Sequence, residues 1–399
     1  MSTPGGSLDA VRSQIGLAHL PLELLRKIAR EFSARSHLQA FSLVCRSTLA
    51  PARELLFDTL TLSNPGVSLL SSAHLLIGKS RLFPFPDLVR RLVLSREMEV
   101  LSLSPVDLAV LLHDFPNART LDVSGKLEIA KPHQTYRSNA AFDNVSHVKL
   151  KTSDQDHAHE TLRVLVDLCR SVVELDVSTD LLTLEDPFPR WHWAPARCLP
   201  SAVVLSDLRR LVLRSPVYLS FPTMNIISRS SLVQIRALEV DFTEESVGRT
   251  WYTESTFPSE FFEFFGSSIE HVYFNFPLFA KRSNVESLEG VLSSLTSLRT
   301  LSLASIGSGA AHLLIGLPRS CKDIIVHNEG GAPDWMGLAR FFLEHEGSPA
   351  LERLKGTRIW IDHSDCRFCD ENFQREVESQ SQKLGIQIII AAVGGEAGR

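Results

Sequence analysis

Three possible metal ligands stand close together near the C-terminus of this 399-residue chain: His363, Cys366 and Cys369, in the spacing H-x-x-C-x-x-C. Imidazole and thiolate groups are preferred zinc ligands, but a structural zinc site needs four of them. The sequence offers no evident fourth ligand; Asp365 or a distant histidine would be a guess. We therefore expect no bound metal here, and free thiols near the start of a helix.

Two other patterns could carry chemistry. Asp154, Asp156 and Glu160 cluster where a helix is expected to begin. Paired carboxylates can act as acid and base, but negative charge also stabilises a helix N-terminus, and we prefer that interpretation. Gly307-x-Gly309 precedes a helix as a dinucleotide-binding loop would, but the third glycine position holds a histidine. With no G-x-S-x-G, Walker A or H-E-x-x-H motif either, the sequence predicts no catalytic residues, no enzyme activity and no cofactor.

The first structural unit that the sequence predicts is the stretch Leu17–Leu62, which contains three short helices. After Pro21, a good helix starter, Leu24, Ile28 and Phe32 recur every four residues and predict an amphipathic first helix. Ser36 is the predicted N-cap of a second helix, and Pro51 is predicted to start or bend a third, Ala52–Phe57. Three short helices bury too little surface to be stable alone, so this unit must lean on a partner or on the following domain.

Two runs in this stretch resemble an F-box. They are Leu20-Pro21-x-Glu23-Leu24-Leu25-x-x-Ile28 and Phe41-Ser42-Leu43-Val44-Cys45-Arg46-Ser47, followed by Thr48 where the family usually has Trp. The resemblance implies binding to the Skp adaptor of a cullin–RING ubiquitin ligase. It also implies that the contact surface includes Leu20, Pro21, Leu24, Ile28, Leu43 and Val44.

Beyond Phe57 one pattern, apolar-x-x-apolar-x-apolar, returns eleven times, at intervals of 23 to 36 residues between its central apolar positions. It runs from Phe57/Leu60/Leu62 to Cys321/Ile324/Val326, with a degenerate eleventh copy at Leu351/Leu354. Alternation at its end predicts a short strand, and intervals near the leucine-rich-repeat range predict stacked units. Ile386-x-Ile388-x-Ile390 is the predicted closing edge strand.

Helices are predicted between the strands, at Val106–Asp114, His159–Cys169, Met224–Leu232, Ser259–Phe265, Val285–Leu295, Ala310–Leu317 and Asp334–Glu344. Strand–helix units that cannot cover their own apolar faces bury them by stacking, which predicts an α/β solenoid with a parallel sheet. This half resembles the irregular leucine-rich-repeat-like regions that follow F-boxes in large fungal families. A doubly wound, Rossmann-like sheet is the alternative that the strand–helix alternation leaves open.

The predicted organisation is thus a flexible N-terminus at 1–16, an F-box at 17–57, an irregular leucine-rich-repeat-like solenoid at 58–392 and a disordered tail at 393–399. A formal net charge of −5 argues against nucleic-acid binding, and no apolar run is long enough for a membrane span. The N-terminus lacks a signal-peptide pattern, so we expect an intracellular protein, cytoplasmic or nuclear, with free cysteines.

The resemblance implies the substrate-recognition subunit of an SCF-type (Skp–cullin–F-box) ligase, which would bind an unknown target protein through the solenoid. The open face of the solenoid's sheet should carry the residues at the middle strand positions, which are Val93, Asp122, Lys149, Asp176, Val212, Glu239, Tyr273, Ser302 and Ile325. Two insertions, Thr179–Pro200 and Asp241–Pro258, are rich in the aromatic side chains that dominate interfaces. We expect a substrate-binding rim of Trp191, Trp193, Trp251 and Tyr252, with Glu239 and Tyr273 beside it.

Three alternatives remain. The middle strand positions could form a sheet face that is merely solvated. The aromatic residues of the insertions could instead pack onto the protein's own surface and stabilise it. The whole chain could be a non-enzymatic repeat scaffold that binds a protein partner, with a degenerate or non-ligase F-box.

A first prediction concerns metal. Purified protein should carry no stoichiometric zinc, because three neighbouring ligands without a fourth make a poor structural site. Elemental analysis checks this. About one zinc per chain, lost when Cys366 and Cys369 are both changed to Ser, would contradict it.

Overall fold

The computed structural model describes residues 17–63, 82–95, 101–102, 105–124, 127–128, 142–152, 162, 164–179, 205–214, 234–241, 268–275, 290, 292–304, 312–327, 335–362 and 371–391. Several predicted features lie outside these residues. They are the N-terminus at 1–16, the tail at 393–399, the helices Met224–Leu232 and Ser259–Phe265, and the Gly307-x-Gly309 turn.

Three helices follow a short 3-10 turn at Leu17–His19: α1 (Leu22–Arg30), α2 (Arg35–Ser42) and α3 (Arg46–Leu56). Two predicted boundaries are wrong. Ala34, not Ser36, occupies the N-cap of α2. Helix α3 begins well before Pro51, which lies buried inside it. The early start has a local cause, a reciprocal capping interaction between Cys45 and Thr48 that satisfies backbone groups of the first turn.

A twelve-stranded sheet follows, and every pair of neighbouring strands in it is parallel. Its strands are β1 (Thr59–Ser63), β2 (Arg91–Ser95), β4 (Thr120–Ser124), β6 (His147–Thr152), β7 (Glu174–Thr179), β8 (Arg210–Arg214), β9 (Ala237–Asp241), β10 (His271–Asn275), β11 (Thr300–Leu303), β12 (Asp323–Val326), β13 (Arg358–Asp362) and β14 (Gln387–Ala391). Strands β3 (Leu101–Ser102) and β5 (Leu127–Glu128) form a separate parallel pair.

The strands of the large sheet lie side by side in chain order, without a reversal. A doubly wound sheet would reverse its strand order at a switch point, so that alternative does not describe this sheet. The register is constant: the second residue of each strand lies opposite the second residue of the next, as Leu92 lies opposite Leu121. From β2 to β13 the described side chains at the second and fourth positions are buried, and they belong to one continuous apolar core.

The eleventh predicted repeat is misplaced. Leu351 lies in a short helix (Pro349–Arg353) and Leu354 caps it; both are buried, but neither belongs to a strand. The strand is β13, whose buried apolar residues are Ile359 and Ile361. Its unit has Gly356, at φ 81°, where the earlier units have an apolar residue, so the three-residue apolar pattern is incomplete there.

Helices cover one face of the sheet where they are described. They are α4 (Pro105–Asp114), α5 (Trp335–Glu344), α6 (Pro349–Arg353) and α7 (Glu371–Leu384). The predictions at Val106–Asp114 and Asp334–Glu344 are confirmed to within one residue. Residues 164–168 are helical as predicted, whereas Ala310–Leu317 contains a 3-10 helix, His312–Gly316. Among the described helices, none has both the length and the apolar character needed to cross a bilayer.

Aromatic rings join the N-terminal helices to the sheet. The helical unit has its own small core, separate from that of the sheet. Phe57, which follows α3, packs against Phe83 and Phe85 with ring centroids 5.7 and 4.8 Å apart, and Arg53 lies 5.0 Å from the Phe85 centroid. Phe83 in turn contacts Phe115 of the sheet domain. The predicted need for support from the following domain is therefore met through this junction.

The C-terminal unit depends on a glycine. Gly385 ends α7 at φ 71°, and a Cβ there would lie 3.2 Å from Cγ of Lys355. Gly385→Ala should lower the free energy of unfolding by about 1–2 kcal/mol, the cost of a left-handed conformation for a residue with a Cβ. Urea unfolding measures it. Gly290→Ala is the matched control: Gly290 is helical with open space around it, so that change should be neutral or stabilising. An equal loss in both variants would contradict the prediction.

Candidate functional site

The N-terminal helical unit presents apolar side chains to solvent as well as to its own core. Helix α3 packs against both α1 and α2. The core between them consists of Leu25, Ala29, Leu38, Phe41 and Ala52. An ion pair with two hydrogen bonds, from Arg26 to Glu54 at 2.8 and 2.9 Å, also ties α1 to α3. The Arg26 hydrogen bond holds the pKa of the Glu54 carboxyl below its usual range.

The predicted adaptor-contact residues divide into two groups. Leu24, Leu43 and Val44 are 44%, 84% and 58% exposed. Pro21 is exposed as well, whereas Leu20 and Ile28 are half-buried and pack against the small core. The first group is available to a partner, and the second also holds the helices together.

Exposed large apolar side chains are concentrated in the N-terminal helical unit. Among the described residues, eight large apolar side chains are notably exposed, and four of them lie between positions 22 and 44: Leu22, Leu24, Leu43 and Val44. Leu22 was not among the predicted contacts. Leu22 does not fit the four-residue spacing that identified Leu24 and Ile28, because residues two apart on a helix point in different directions.

Cys45 and Thr48 form the start of α3. The Cys45 amide donates to Thr48 Oγ1 (3.2 Å), and that hydroxyl donates to the Cys45 carbonyl (2.8 Å). The Thr48 side chain is fully buried. Burial raises the pKa of the Cys45 thiol, but hydrogen bonds from Thr48 and Ser47 outweigh this effect, so that the pKa lies below its ordinary value. Buried Cys169 and Cys321 differ, because desolvation raises the pKa of each to about 12.

The middle strand positions form one row across the sheet, since residues such as Glu239 and Tyr273 are direct partners in adjacent strands. The prediction that this whole row is open is wrong at two positions, because Val212 and Asp176 are buried. On β6 to β9 this face is a network of charges. Three carboxylates and three cations face one another there: Glu174, Asp176, Glu239, Lys149, Arg210 and Arg214.

Mutual pairing holds this network together. Arg210 binds Glu239 at 2.5 Å and Glu174 at 3.4 Å, while Arg214 bridges Asp176 (3.2 Å) and Glu239 (3.4 Å). Burial lowers the pKa of Arg210, yet its hydrogen bond with Glu239 and the neighbouring carboxylates outweigh this effect and raise it. Glu239, a predicted substrate-binding residue, therefore serves first as an internal counter-ion.

Beyond β9 the same face becomes aromatic and aliphatic. Its half-buried middle positions are Tyr273, Ser302, Ile325, Trp360 and Ile389. The Trp360 Nε1 donates to Asp323 (3.1 Å), and Arg358 pairs with the same carboxylate at 2.7 Å. Tyr273 contacts the His327 ring edge-on. Trp360 was missed as a face residue because the eleventh repeat was misplaced; the alternation Ile359-x-Ile361 was the signal that could have found it.

Several predicted site residues lie outside the described residues. They include the aromatic rim of Trp191, Trp193, Trp251 and Tyr252, the possible zinc ligands His363, Cys366 and Cys369, and the acidic cluster Asp154, Asp156 and Glu160. In the part of the chain that is described, no group of three His, Cys, Asp or Glu side chains is arranged to hold a metal ion.

Comparison with known proteins gives no family assignment. No protein-family model matches this chain, and no curated protein matches it either.

The capping interaction can be tested through the thiol that it contacts. Cys45 Sγ and Thr48 Oγ1 lie 3.7 Å apart, and this hydrogen bond lowers the pKa of the Cys45 thiol. Thr48→Val removes the hydroxyl, so the pKa of Cys45 should rise. The pH midpoint for alkylation of Cys45, followed by peptide mass spectrometry, should then move to higher pH. Thr48→Ser keeps the hydroxyl and should leave the midpoint close to that of the unchanged protein. An unmoved midpoint in Thr48→Val would show that this hydroxyl does not stabilise the thiolate.

Proposed function

We propose that this protein is the substrate-recognition subunit of an SCF-type ubiquitin ligase. An F-box at its N-terminus would bind the Skp adaptor, and a leucine-rich-repeat-like solenoid would bind the target protein. The chain would do no chemistry itself. It would hold the target near the ubiquitin-carrying enzyme, so that transfer gains from proximity.

The observation that carries this proposal is the exposed apolar surface of the N-terminal unit. Leu24, Leu43 and Val44 belong to the two runs that resemble an F-box, and they are solvent-exposed in a unit of only three helices. Exposing large apolar groups costs free energy that a partner recovers by covering them. The half-buried Leu20 and Ile28 fit the same proposal, because their core contacts keep the exposed residues in place.

Thr48 supports the proposal in a modified form. Where the family usually has Trp, this chain has a buried Thr that starts α3 through its contacts with Cys45. The hydrophobic anchor that the Trp would supply is absent, so adaptor binding would depend more heavily on Leu24, Leu43 and Val44.

The junction with the sheet also suits a receptor. Proximity helps only if the bound target is held in a fixed position relative to the adaptor. The Phe57 contacts with Phe83 and Phe85, together with Arg53, supply a packed connection between the two parts. The in-order parallel sheet favours a leucine-rich-repeat-like solenoid for the second part, since stacked repeats add strands in chain order.

Adaptor binding by paired leucine variants tests the proposal. Leu24→Ala with Leu43→Ala should weaken binding to purified Skp adaptor by at least about tenfold, because each leucine contributes about 1.5–3 kcal/mol when it is fully buried at an interface. Calorimetry or biolayer interferometry measures the affinity. The melting temperature should stay unchanged, because both side chains are exposed.

The matched control is Leu82→Ala with Leu343→Ala, which removes two other exposed leucines outside the N-terminal unit. This pair should bind the adaptor normally. Equal binding by both double variants would contradict the assigned surface. If the unchanged chain does not bind the adaptor at all, the scaffold without a ligase role becomes the better interpretation.

A further inference from the structure

The last strand of the sheet is an edge strand in the described part of the chain. Strand β14 pairs with β13 on one side, and no described strand pairs with the other. Unpaired strand edges are templates for pairing with another chain, and proteins usually protect them with charge, proline or a covering segment. Residues 384–395 contain neither a charged side chain nor a proline.

The backbone groups of β14 that point away from β13 can be identified from the ladder. The first residue of a strand donates to the carbonyl just before the preceding strand, as Gln387 donates to Thr357. Four positions further along, His327, which directly follows β12, donates to Leu303 of β11. Because the direction alternates along a strand, the second and fourth residues point toward the following strand. In β14 these are Ile388 and Ile390, so their N–H and C=O groups point outward.

The side chains of β14 differ from those of its neighbour. Ile359 and Ile361 of β13 are fully buried, whereas Ile388, Ile389 and Ile390 are all half-buried. Ile388 and Ile390 lie on the core side and Ile389 on the open face, beside Trp360. At this edge both faces of the sheet therefore carry apolar side chains that the described residues cover only in part.

We propose that the occupant of this edge is a second copy of the same strand, paired antiparallel about a two-fold axis at Ile389. The sequence is complementary to itself in that arrangement: Ile389 meets Ile389 of the second copy, and Ile388 meets Ile390. Each Ile388–Ile390 pair is of the hydrogen-bonded type and uses the outward backbone groups, whereas the central pair is non-hydrogen-bonded, with close side chains.

The register also preserves the two faces of the sheet. Each pair joins residues whose numbers differ by an even amount, so core-side residues lie next to core-side residues. A shift of the pairing by one residue would turn core-side residues of one copy to the open face. No charged side chain opposes another along the strand. A two-fold pairing closes on itself, unlike a head-to-tail contact, and leaves no further edge open at this end.

The expected dimer is weak, because one five-residue strand pair buries little surface, and interfaces below about 1,200 Å² are typical of transient complexes. Sedimentation velocity on the full chain, in a concentration series ending at about 100 µM, should show a monomer–dimer equilibrium. A monomer throughout, or growth beyond the dimer, would overturn the proposal.

Charge variants at the central pair test the register. Ile389→Lys and Ile389→Glu should each be monomeric, because like charges then face each other, and an equimolar mixture of the two should dimerise again. Failure of the mixture to dimerise would overturn pairing at Ile389. The matched controls, Ser302→Lys and Ser302→Glu, place the same charges on the same row of an interior strand and should leave the equilibrium unchanged.

A backbone variant tests the hydrogen bonds. Ile390→Pro removes an outward N–H without removing a bond to β13, so it should weaken the dimer at least tenfold relative to Ile390→Ala, which loses similar bulk but keeps the N–H. Circular dichroism of both variants should match the unchanged protein. Equal dimerisation by the two variants would show that the outward backbone groups do not form the interface.

Discussion

Burial of two apolar side chains from each strand, always at the second and fourth positions, is the constraint on which the rest of this structure depends. A parallel pair of strands with one buried face can slip by one residue only by turning its apolar side chains into water. The constant register from β2 to β13 follows from that penalty. Because each strand is bonded to the one before and the one after it, the core is continuous although each unit is small.

That register also determines what the open face can present. Side chains at the middle position form one row across the sheet. Each strand contributes one residue to this row, so the chemical character of the row varies from strand to strand. On β6 to β9 the row and its neighbours form a network of charges, in which Arg210 and Arg214 are shared among acidic partners. From β10 onward, Tyr273, Ile325 and Trp360 give an aromatic and aliphatic surface. A protein partner would gain more by covering the second region, since the charges of the first already neutralise one another.

The N-terminal helices obey a different constraint. A core of Leu25, Ala29, Leu38, Phe41 and Ala52 is too small to bury every apolar side chain of three helices. Leu43 and Val44 remain in water, while Phe57 uses the rings of Phe83 and Phe85 for support. The same shortage of core thus accounts for both the exposed apolar surface and the aromatic junction.

The sequence by itself determined every strand of the large sheet except β13, because a period of two and a recurring apolar triplet reflect local geometry that the other units repeat. The same periodicity predicted which residues, from Val93 to Ile325, form the middle row of the sheet. The exposure of Leu24, Leu43 and Val44 was predicted on different grounds, from the resemblance that made them part of an adaptor-binding surface. Tertiary structure decided what the periodicity could not express. Thr48 and Cys45 start α3 early through a side-chain contact, and Gly356 replaces an apolar residue by turning the backbone. Glu239 is committed to two arginines from a neighbouring strand. The first of these outcomes depends on a local side-chain contact, the second on a particular backbone conformation and the third on partners distant in sequence, and the apolar periodicity encodes none of them.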